Sequence, residues 1–327
     1  MSPELTIALL AGVVLGASAH RAGLCTVKAV AEIMTSAKAH FIWSFIKASL
    51  WTTAILGWAA VFGLDIDLAH RPVQAQAILG GAIFGIGAGL NGACSFSTLA
   101  RLTEGHLAMF FTLAGWGVSI PGTLALLPMP ELSGSTAAIP ALLLLPLTLW
   151  MLWEGRSMWK RRRAIHDGFK NGYWALSVSV FLIALANASL LASGHPWSFT
   201  STALCSAEKL PLSPCQELGL IGAISGTAML TMLASAIWRK TFRVRRPKLR
   251  SAVRHFSAGL LMGTGAALIP GGNDGLILFG LPAFSPHALP TWGAIVLGIA
   301  LSIYVMRLTG MRVPKISCEG DVCRSTL

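Results

Sequence analysis

Apolar residues form long, uncharged stretches along this chain, and short polar segments between them carry most of the charge. Each stretch is near the roughly 20 residues that an α-helix needs to cross a bilayer. The pattern therefore predicts an all-α polytopic membrane protein. About nine spans are expected, at 5–22, 41–62, 75–90, 107–127, 137–153, 173–193, 216–238, 255–269 and 287–308.

The composition excludes a water-soluble globule. Of the 327 residues, 54% are hydrophobic and 12% are charged, whereas soluble domains carry about 25% charged residues. The net charge of +12 would suggest nucleic-acid binding in a soluble protein, but here the basic residues stand between apolar spans. We therefore expect the lipid bilayer as partner and no nucleic acid.

Two basic clusters predict the orientation. By the positive-inside rule both lie on the cytoplasmic side, which places the N-terminus outside and the C-terminus inside. Residues 1–20 lack a basic leading region and are expected to remain as the first span. The clusters comprise Arg156, Lys160, Arg161, Arg162, Arg163 and Lys170, and then Arg239, Lys240, Arg243, Arg245, Arg246, Lys248, Arg250 and Arg254.

A unit of two glycines followed by an interruption of the predicted helix, called here a break, recurs along the chain. Singly, such glycines are expected to let helices pack closely; the combination of span, break, polar residue and short helix favours a functional unit. The copies are Gly12, Gly16 and Cys25, then Gly81, Gly85 and Cys94, then Gly259, Gly263 and Gly272, with a weaker copy at Gly194, His195, Pro196 and Trp197.

A short helix is predicted after each break. Eleven residues rise about 16 Å, half the hydrocarbon thickness, so each piece is expected to be a re-entrant half-helix that starts near the midplane. Thr26, Ser95, Ser198 and Asn273 are residue types that cap helix N-termini. The four pieces are Thr26–Lys38, Ser95–Gly105, Ser198–Leu210 and Asn273–Ala283.

The predicted orientation makes the two halves of the chain inverted repeats. We expect a first half at 1–154, a basic connector at 155–172, a second half at 173–308 and a cytoplasmic tail at 309–327. Transporters bind substrate where such repeats meet. Four half-helix N-termini together present about two positive charges. The pattern thus predicts a transporter or channel for a small anion; because no haem, quinone, nucleotide or metal motif occurs, we expect neither an enzyme nor a cofactor.

Three segments carry a resemblance to a known family. Gly23-Leu24-Cys25-Thr26, Gly92-Ala93-Cys94-Ser95-Phe96-Ser97 and the turn at 194–197 resemble the YeeE/YedE family of sulfur-compound transporters over roughly residues 5–308. The resemblance implies thiosulfate uptake across the bacterial inner membrane, through a path lined by cysteines that donate S–H hydrogen bonds. It also implies a TusA-like cytoplasmic sulfur carrier as partner, and it makes Cys25 and Cys94 path cysteines.

The fourth break departs from the family pattern. It reads Pro270-Gly271-Gly272-Asn273-Asp274, whereas the thiosulfate importers have a further cysteine in the second half. Sulfide, another sulfur oxyanion or a selenium analogue therefore stay open as substrates. A passive anion channel and a membrane thiol oxidoreductase are the alternative functions; the latter requires two thiols close enough to bridge.

The candidate path residues lie at the four breaks. Asp274 is the only carboxylate predicted near the midplane, where it is either a cap of the fourth short helix or a proton-coupling group. His195 and Trp197 are expected either to shape the outer mouth or to be interfacial residues. The full set is Gly23, Cys25, Thr26, Gly92, Cys94, Ser95, His195, Trp197, Gly272, Asn273 and Asp274.

Other residues receive less specific interpretations. Arg101 and Lys47 are expected to extend to the cytoplasmic interface. Cys205 and Cys215 lie in the predicted outer segment, where a disulfide is possible. Cys318 and Cys323 lie in the tail, which is either disordered with incidental thiols or a sulfur-accepting, redox or metal-binding segment. Two ligands alone make an incomplete metal site, so no metal is assigned.

Overall fold

The chain folds as an all-α bundle in a computed structural model. The structure describes residues 3–64, 66, 68–127, 135–137, 139–170, 172–208, 215, 218–269, 272–310, 315–319 and 321–326. Pro270 and Gly271 of the fourth break therefore lie outside the described residues. The helices are α1 Pro3–Ala22, α2 Thr26–Ser36, α3 His40–Val61, α4 Ala75–Asn91, α5 Ser95–Thr103, α6 Ala108–Leu126, α7 Ala141–Lys160, α8 Arg162–Lys170, α9 Leu176–Ala192, α10 Phe199–Glu208, α11 Leu218–Trp238, α12 Leu249–Leu268, α13 Gly272–Gly275 and α14 Ala288–Leu308.

The polytopic membrane architecture is confirmed, but the count of nine spans is not. Within the described ranges, six helical runs are long and apolar enough to cross a membrane, or seven if the bent pair α12–α13 is one span. Two of the six, Glu4–Ser36 and Ala75–Thr103, include a break and the short helix after it. The re-entrant course of the short helices thus stays a prediction. The predicted span at 173–193 corresponds to α9, which has 17 residues, and the predicted span at 137–153 corresponds to α7, which begins at Ala141.

The repeated glycines pack helices against each other at close range. A Cβ atom added at Gly16 would lie 2.3 Å from the backbone oxygen of Ala228 in α11, and one at Gly259 would lie 2.2 Å from that of Thr112 in α6. Gly85 stands equally close to Ile295 in α14. Small residues at such positions allow backbones to approach, so these repeat positions serve helix packing.

The main contacts between the long helices form matching pairs when the two halves are exchanged. Helix α1 packs on α11, and α3 packs on α9; α4 packs on α14, and α12 packs on α6. Exchanging α1 with α9, α3 with α11, α4 with α12 and α6 with α14 converts each contact into its counterpart. Two repeats related by a two-fold axis produce this pattern. It supports the division at 1–154, 155–172, 173–308 and 309–327, which remains a prediction together with the inverted orientation.

The described part of the tail forms two strands, so the alternative of a disordered segment is wrong for these residues. Strands β3 (Lys315–Glu319) and β4 (Val322–Thr326) form an antiparallel hairpin that packs on α2. Ser36 Oγ donates to the backbone oxygen of Ile316 at 2.8 Å, and the Leu176 N–H donates to that of Asp321 at 2.8 Å. A disulfide joins Cys318 to Cys323 within this hairpin. Two shorter strands, β1 Leu68–His70 and β2 Ser135–Ala137, pair elsewhere.

The second half contains the disulfide that the sequence left open. Cys205 in α10 is bonded to Cys215, ten residues later, and both are buried. The bond closes a short loop between α10 and α11. It therefore ties the third short helix to Cys215, which precedes α11.

Lys47 does not extend to the membrane interface as expected. Its ammonium lies 2.5 Å from Glu154 Oε1 in α7 and 3.1 Å from Ser177 Oγ in α9, and both charged side chains are buried. The sequence analysis missed Glu154 as a partner because 107 residues separate the two. The ion pair joins α3 to α7.

Replacing Lys47 by methionine is expected to lower stability by about 3–5 kcal/mol, because a buried carboxylate then loses its counter-charge. Thermal unfolding of the purified protein in detergent measures the effect. The double variant Lys47→Met, Glu154→Gln should regain much of the loss, since no unpaired charge remains. Lys38→Met, at an exposed position, is the matched control; an equal drop there would contradict the interpretation.

Candidate functional site

Each of the four breaks contains a glycine in a left-handed backbone conformation. The φ angles are +61° at Gly23, +71° at Gly92, +76° at Gly194 and +67° at Gly272. Glycine adopts such angles without the steric cost that a Cβ imposes. The weak third copy and the divergent fourth copy of the sequence unit thus share the backbone geometry of the first two.

Helix starts differ from the predicted caps in three of the four pieces. Cys25 and Cys94 themselves occupy the N-cap positions, so Thr26 and Ser95 are the first helical residues of α2 and α5. Asn273 lies inside α13. Only Ser198 behaves as predicted: its Oγ accepts a hydrogen bond from the Ser201 N–H at 3.0 Å. The family motif therefore places a thiol at each of the first two helix starts.

The fourth short helix has an irregular form. Helix α13 spans four residues and continues as a π-helix at Leu276–Gly280, where an α-helix at Asn273–Ala283 was expected. A Cβ at Gly272 would stand 2.1 Å from Thr200 Cγ2. The missing second-half cysteine thus has a steric reason, because Thr200 occupies the space that a thiol at Gly272 would need.

Asp274 caps a helix, but not its own. Its Oδ2 accepts a hydrogen bond from the Thr200 N–H, at the start of α10, at 3.1 Å. A carboxylate at a helix N-terminus is stabilised by the helix dipole. Asp274 Oδ1 is buried and has no hydrogen-bond partner among the described residues. Asp274 therefore caps α10 and not the fourth short helix, for which the cap was expected, and its Oδ1 remains available to a ligand or a proton.

The four helix starts form a chain of contacts in the centre of the bundle. The thiols of Cys25 and Cys94 join α2 to α5, since they are close enough to interact and are not disulfide-bonded. Ser95 Oγ, at the start of α5, lies 3.4 Å from Thr200 Oγ1. Thr200 in turn contacts Asp274. All four breaks thus meet, although the sequence analysis did not include Thr200.

A small cavity, called here the inner cavity, lies at this meeting point. Its volume is about 40 Å³. Its polar lining comes from both halves of the chain, through Thr26, Cys94, Asn273 and Asp274, while Leu24 and Phe96 are among its apolar residues. Buried oxygens of Thr26, Asn273 and Asp274 have no hydrogen-bond partner among the described residues. Buried polar atoms are normally paired, so these three are available to a polar ligand.

A much larger cavity adjoins the inner one. We call it the basic vestibule; its volume is about 1320 Å³, and Ala19, Leu24 and Phe96 line both cavities. Glu104 is the acidic residue among its described lining residues. Its basic lining residues are Arg21, Lys28, Arg101, Arg239, Arg245, Arg246, Lys248, Arg250 and Arg254. The second basic cluster, interpreted only as a topology signal, thus also faces a cavity.

Two cations stand directly at the first and second breaks. Lys28 Nζ donates to the backbone oxygen of Gly23 at 3.1 Å, and Arg101 Nη1 lies 3.6 Å from the place of a Cβ at Gly92. Arg101 was expected at the interface and Lys28 was not singled out. The available signal for Lys28 was a charged residue within the first turn of a predicted short helix.

One histidine of the vestibule wall adds no charge near neutral pH. Burial, together with the nearby Arg245 and Arg101 guanidiniums, lowers the pKa of His106 below its ordinary value. Its Nε2 lies 2.8 Å from Arg245 Nη1 and accepts a hydrogen bond from it. His106 therefore adds little to the positive potential that the lysines and arginines of the vestibule supply.

His195 and Trp197 line neither of these two cavities. His195 is half-buried where α9 ends, and its backbone N–H donates to the Leu190 oxygen at 2.9 Å. Trp197 is fully buried; its ring packs edge-on against Phe199 and Phe96. Trp197 is thus neither an interfacial aromatic nor a lining residue of these cavities, but it packs against Phe96, which lines both.

The fold and the site define a class of protein: a multi-pass membrane protein with broken helices around a buried polar cavity and a basic vestibule. Comparison with family models identifies the particular family. The model described as sulphur transport matches residues 21–301, so the chain belongs to the YeeE/YedE sulphur transport family. The match spans both halves and all four breaks. No curated protein shows a significant sequence match to the chain.

Proposed function

We propose that this protein takes up thiosulfate across the inner membrane, from the outer side through the inner cavity to the basic vestibule. In this proposal the N-terminus is outside and the C-terminus is cytoplasmic. Family membership supports a sulfur compound as substrate. The path residues are those of the inner cavity and its breaks, and a TusA-like carrier that receives sulfur at the vestibule is the proposed partner.

The unpaired polar atoms of the inner cavity are the observation that carries this proposal. The hydroxyl of Thr26 and a protonated Asp274 are able to donate hydrogen bonds to an anion, as is the thiol of Cys94, whereas the unpaired Asn273 Oδ1 is an acceptor. The nearby N-termini of α2, α5 and α10 add positive potential. A small oxyanion is thus a fitting ligand, and weak S–H donors permit its release.

The basic vestibule fits the exit end of the path. Lining charges of one sign in a low-dielectric wall concentrate counter-ions. Nine basic residues and Glu104 line it, so an anion leaving the inner cavity enters a region of positive potential. The same surface attracts an acidic partner surface.

Uptake into proteoliposomes tests the function. Purified protein should accumulate sulfur-35-labelled thiosulfate, and unlabelled thiosulfate should compete better than sulfate, sulfide or selenite. A passive channel predicts flux that follows the substrate gradient alone. Absence of thiosulfate uptake by protein with normal thermal stability would overturn the proposal.

The nearness of Cys25 and Cys94 also favours a second candidate, a membrane thiol oxidoreductase. That function requires the pair to form a disulfide during turnover. Mass spectrometry of protein trapped during thiosulfate uptake distinguishes the two: transport through S–H donation keeps both thiols free, whereas redox turnover accumulates the Cys25–Cys94 disulfide.

Asp274→Asn is expected to remove the pH dependence of uptake. An ionised Asp274 repels an anion in the inner cavity, whereas the protonated form donates to it, so the wild type should transport faster at acidic external pH. Asparagine is permanently neutral, and its oxygen still accepts from the Thr200 N–H. Initial uptake rates across a pH series measure the effect; Asp321→Asn, in the tail, is the control. A variant that keeps the wild-type pH profile would contradict the proton-coupling role.

A further inference from the structure

Four potential metal ligands meet where the tail hairpin contacts the corner between α2 and α3. They are Glu32, His40, Cys318 and Cys323, and their donor atoms all lie within 4.8 Å of one another. His40 Nδ1 is 2.7 Å from Glu32 Oε1, and Cys318 Sγ is 3.3 Å from the same oxygen. Three separate segments thus converge on one point outside the inner cavity.

The surroundings of Glu32 suit a cation. Its side chain is 1% exposed, and within the described part of the chain no lysine or arginine forms an ion pair with it. Oε2 accepts the Phe41 N–H at 3.0 Å. Oε1 faces Cys318 Sγ, which in the disulfide has no hydrogen to donate. Two electron-rich atoms, Cys318 Sγ and Glu32 Oε1, therefore face each other. Their repulsion would be removed by a cation between them, or by reduction of Cys318 to a thiol that donates to the carboxylate.

We propose that the reduced hairpin binds one Zn²⁺ through Cys318, Cys323, His40 and Glu32. Tetrahedral zinc with bonds of about 2.0–2.3 Å has ligand atoms about 3.3–3.8 Å apart, which lies within the observed 4.8 Å. Two thiolates, an imidazole and a carboxylate form the donor set that zinc prefers. The Phe41 N–H holds the second carboxylate oxygen and so orients Glu32.

Zinc and the disulfide exclude each other. A cytoplasmic thiol reductant must first supply two electrons and two protons to open the Cys318–Cys323 bond, and becomes oxidised to its own disulfide. Zinc then replaces the two thiol protons, which are released. In the proposed orientation the tail faces the cytosol, where thiols are kept reduced. The metal would join the hairpin to α2, whose N-cap is Cys25, while Cys323 lines the basic vestibule.

Cobalt binding to the full-length protein in detergent tests the site. Protein reduced with a phosphine and titrated with Co²⁺ should bind one equivalent, with thiolate-to-cobalt charge-transfer and tetrahedral d–d bands that Zn²⁺ abolishes. Cys318→Ser and Cys323→Ser should each lose the charge-transfer band or halve it. Glu32→Gln and His40→Gln should weaken affinity at least tenfold.

The matched controls separate this site from the other thiols and from misfolding. Cys94→Ser should bind cobalt like the wild type. Wild-type protein oxidised with diamide should bind none, and this comparison involves no substitution that could impair folding. Binding that persists after oxidation, binding unchanged in both hairpin cysteine variants, or no stoichiometric binding by the reduced wild type would each overturn the proposal.

Discussion

Cys94→Ala should reduce thiosulfate uptake by at least tenfold, and Cys25→Ala should have a similar effect. Both thiols stand at helix N-cap positions where the breaks meet, and Cys94 lines the inner cavity. Loss of one ordinary hydrogen bond costs about 0.5–1.5 kcal/mol. Inside a narrow cavity no water replaces the donor, so the translocation barrier is expected to rise by about 1.5–3 kcal/mol, and about 1.4 kcal/mol corresponds to a tenfold change in rate. Initial uptake rates in proteoliposomes measure it.

The serine variants decide how the thiols act. Cys94→Ser keeps a donor and should retain more uptake than Cys94→Ala if hydrogen bonding is the role; it should be equally inactive if sulfur chemistry is required. Ser302→Ala removes a buried hydroxyl that lines neither cavity and controls for packing. If both cysteine-to-alanine variants are stable and transport at the wild-type rate, the cysteines are core residues and not path residues.

Gly272→Ala should both destabilise the protein and abolish most uptake. The added Cβ would lie 2.1 Å from Thr200 Cγ2, and Thr200 holds Asp274 through its N–H. The methyl group must therefore displace the start of α10 from the inner cavity. The left-handed φ of +67° adds a further cost of about 1–2 kcal/mol. Thermal unfolding and uptake together measure the result.

Two further variants separate the clash from the backbone strain. Gly194→Ala has a similar φ of +76° but nothing within 4 Å of its Cβ, so it should show the strain alone. Adding Thr200→Gly to Gly272→Ala removes the clashing side chain and should restore part of the stability. A loss at Gly272 no greater than that at Gly194 would show that Thr200 does not limit this position.

The sequence by itself determined the membrane class and the places where helices break. Apolar runs near the length of a bilayer crossing indicate spans, and glycine marks positions where the backbone turns left-handed. Both signals are local, so they can be recognised in the sequence without knowing how the helices pack. The short helices after Gly23, Gly92 and Gly194 were accordingly predicted to within a few residues. The predicted number of nine membrane spans was not confirmed, because α7 and α9 are marginal in length or polarity as membrane-spanning helices.

The tertiary structure alone decided which side chains meet. Asp274 caps α10 across 74 residues, Lys47 pairs with Glu154 across 107, and Cys318 contacts Glu32 across 286. No local pattern contains such partners, because they arise from how separate helices pack. For the same reason Gly272 looked like a missing cysteine in the sequence, whereas in the folded protein the space for that thiol is filled by Thr200.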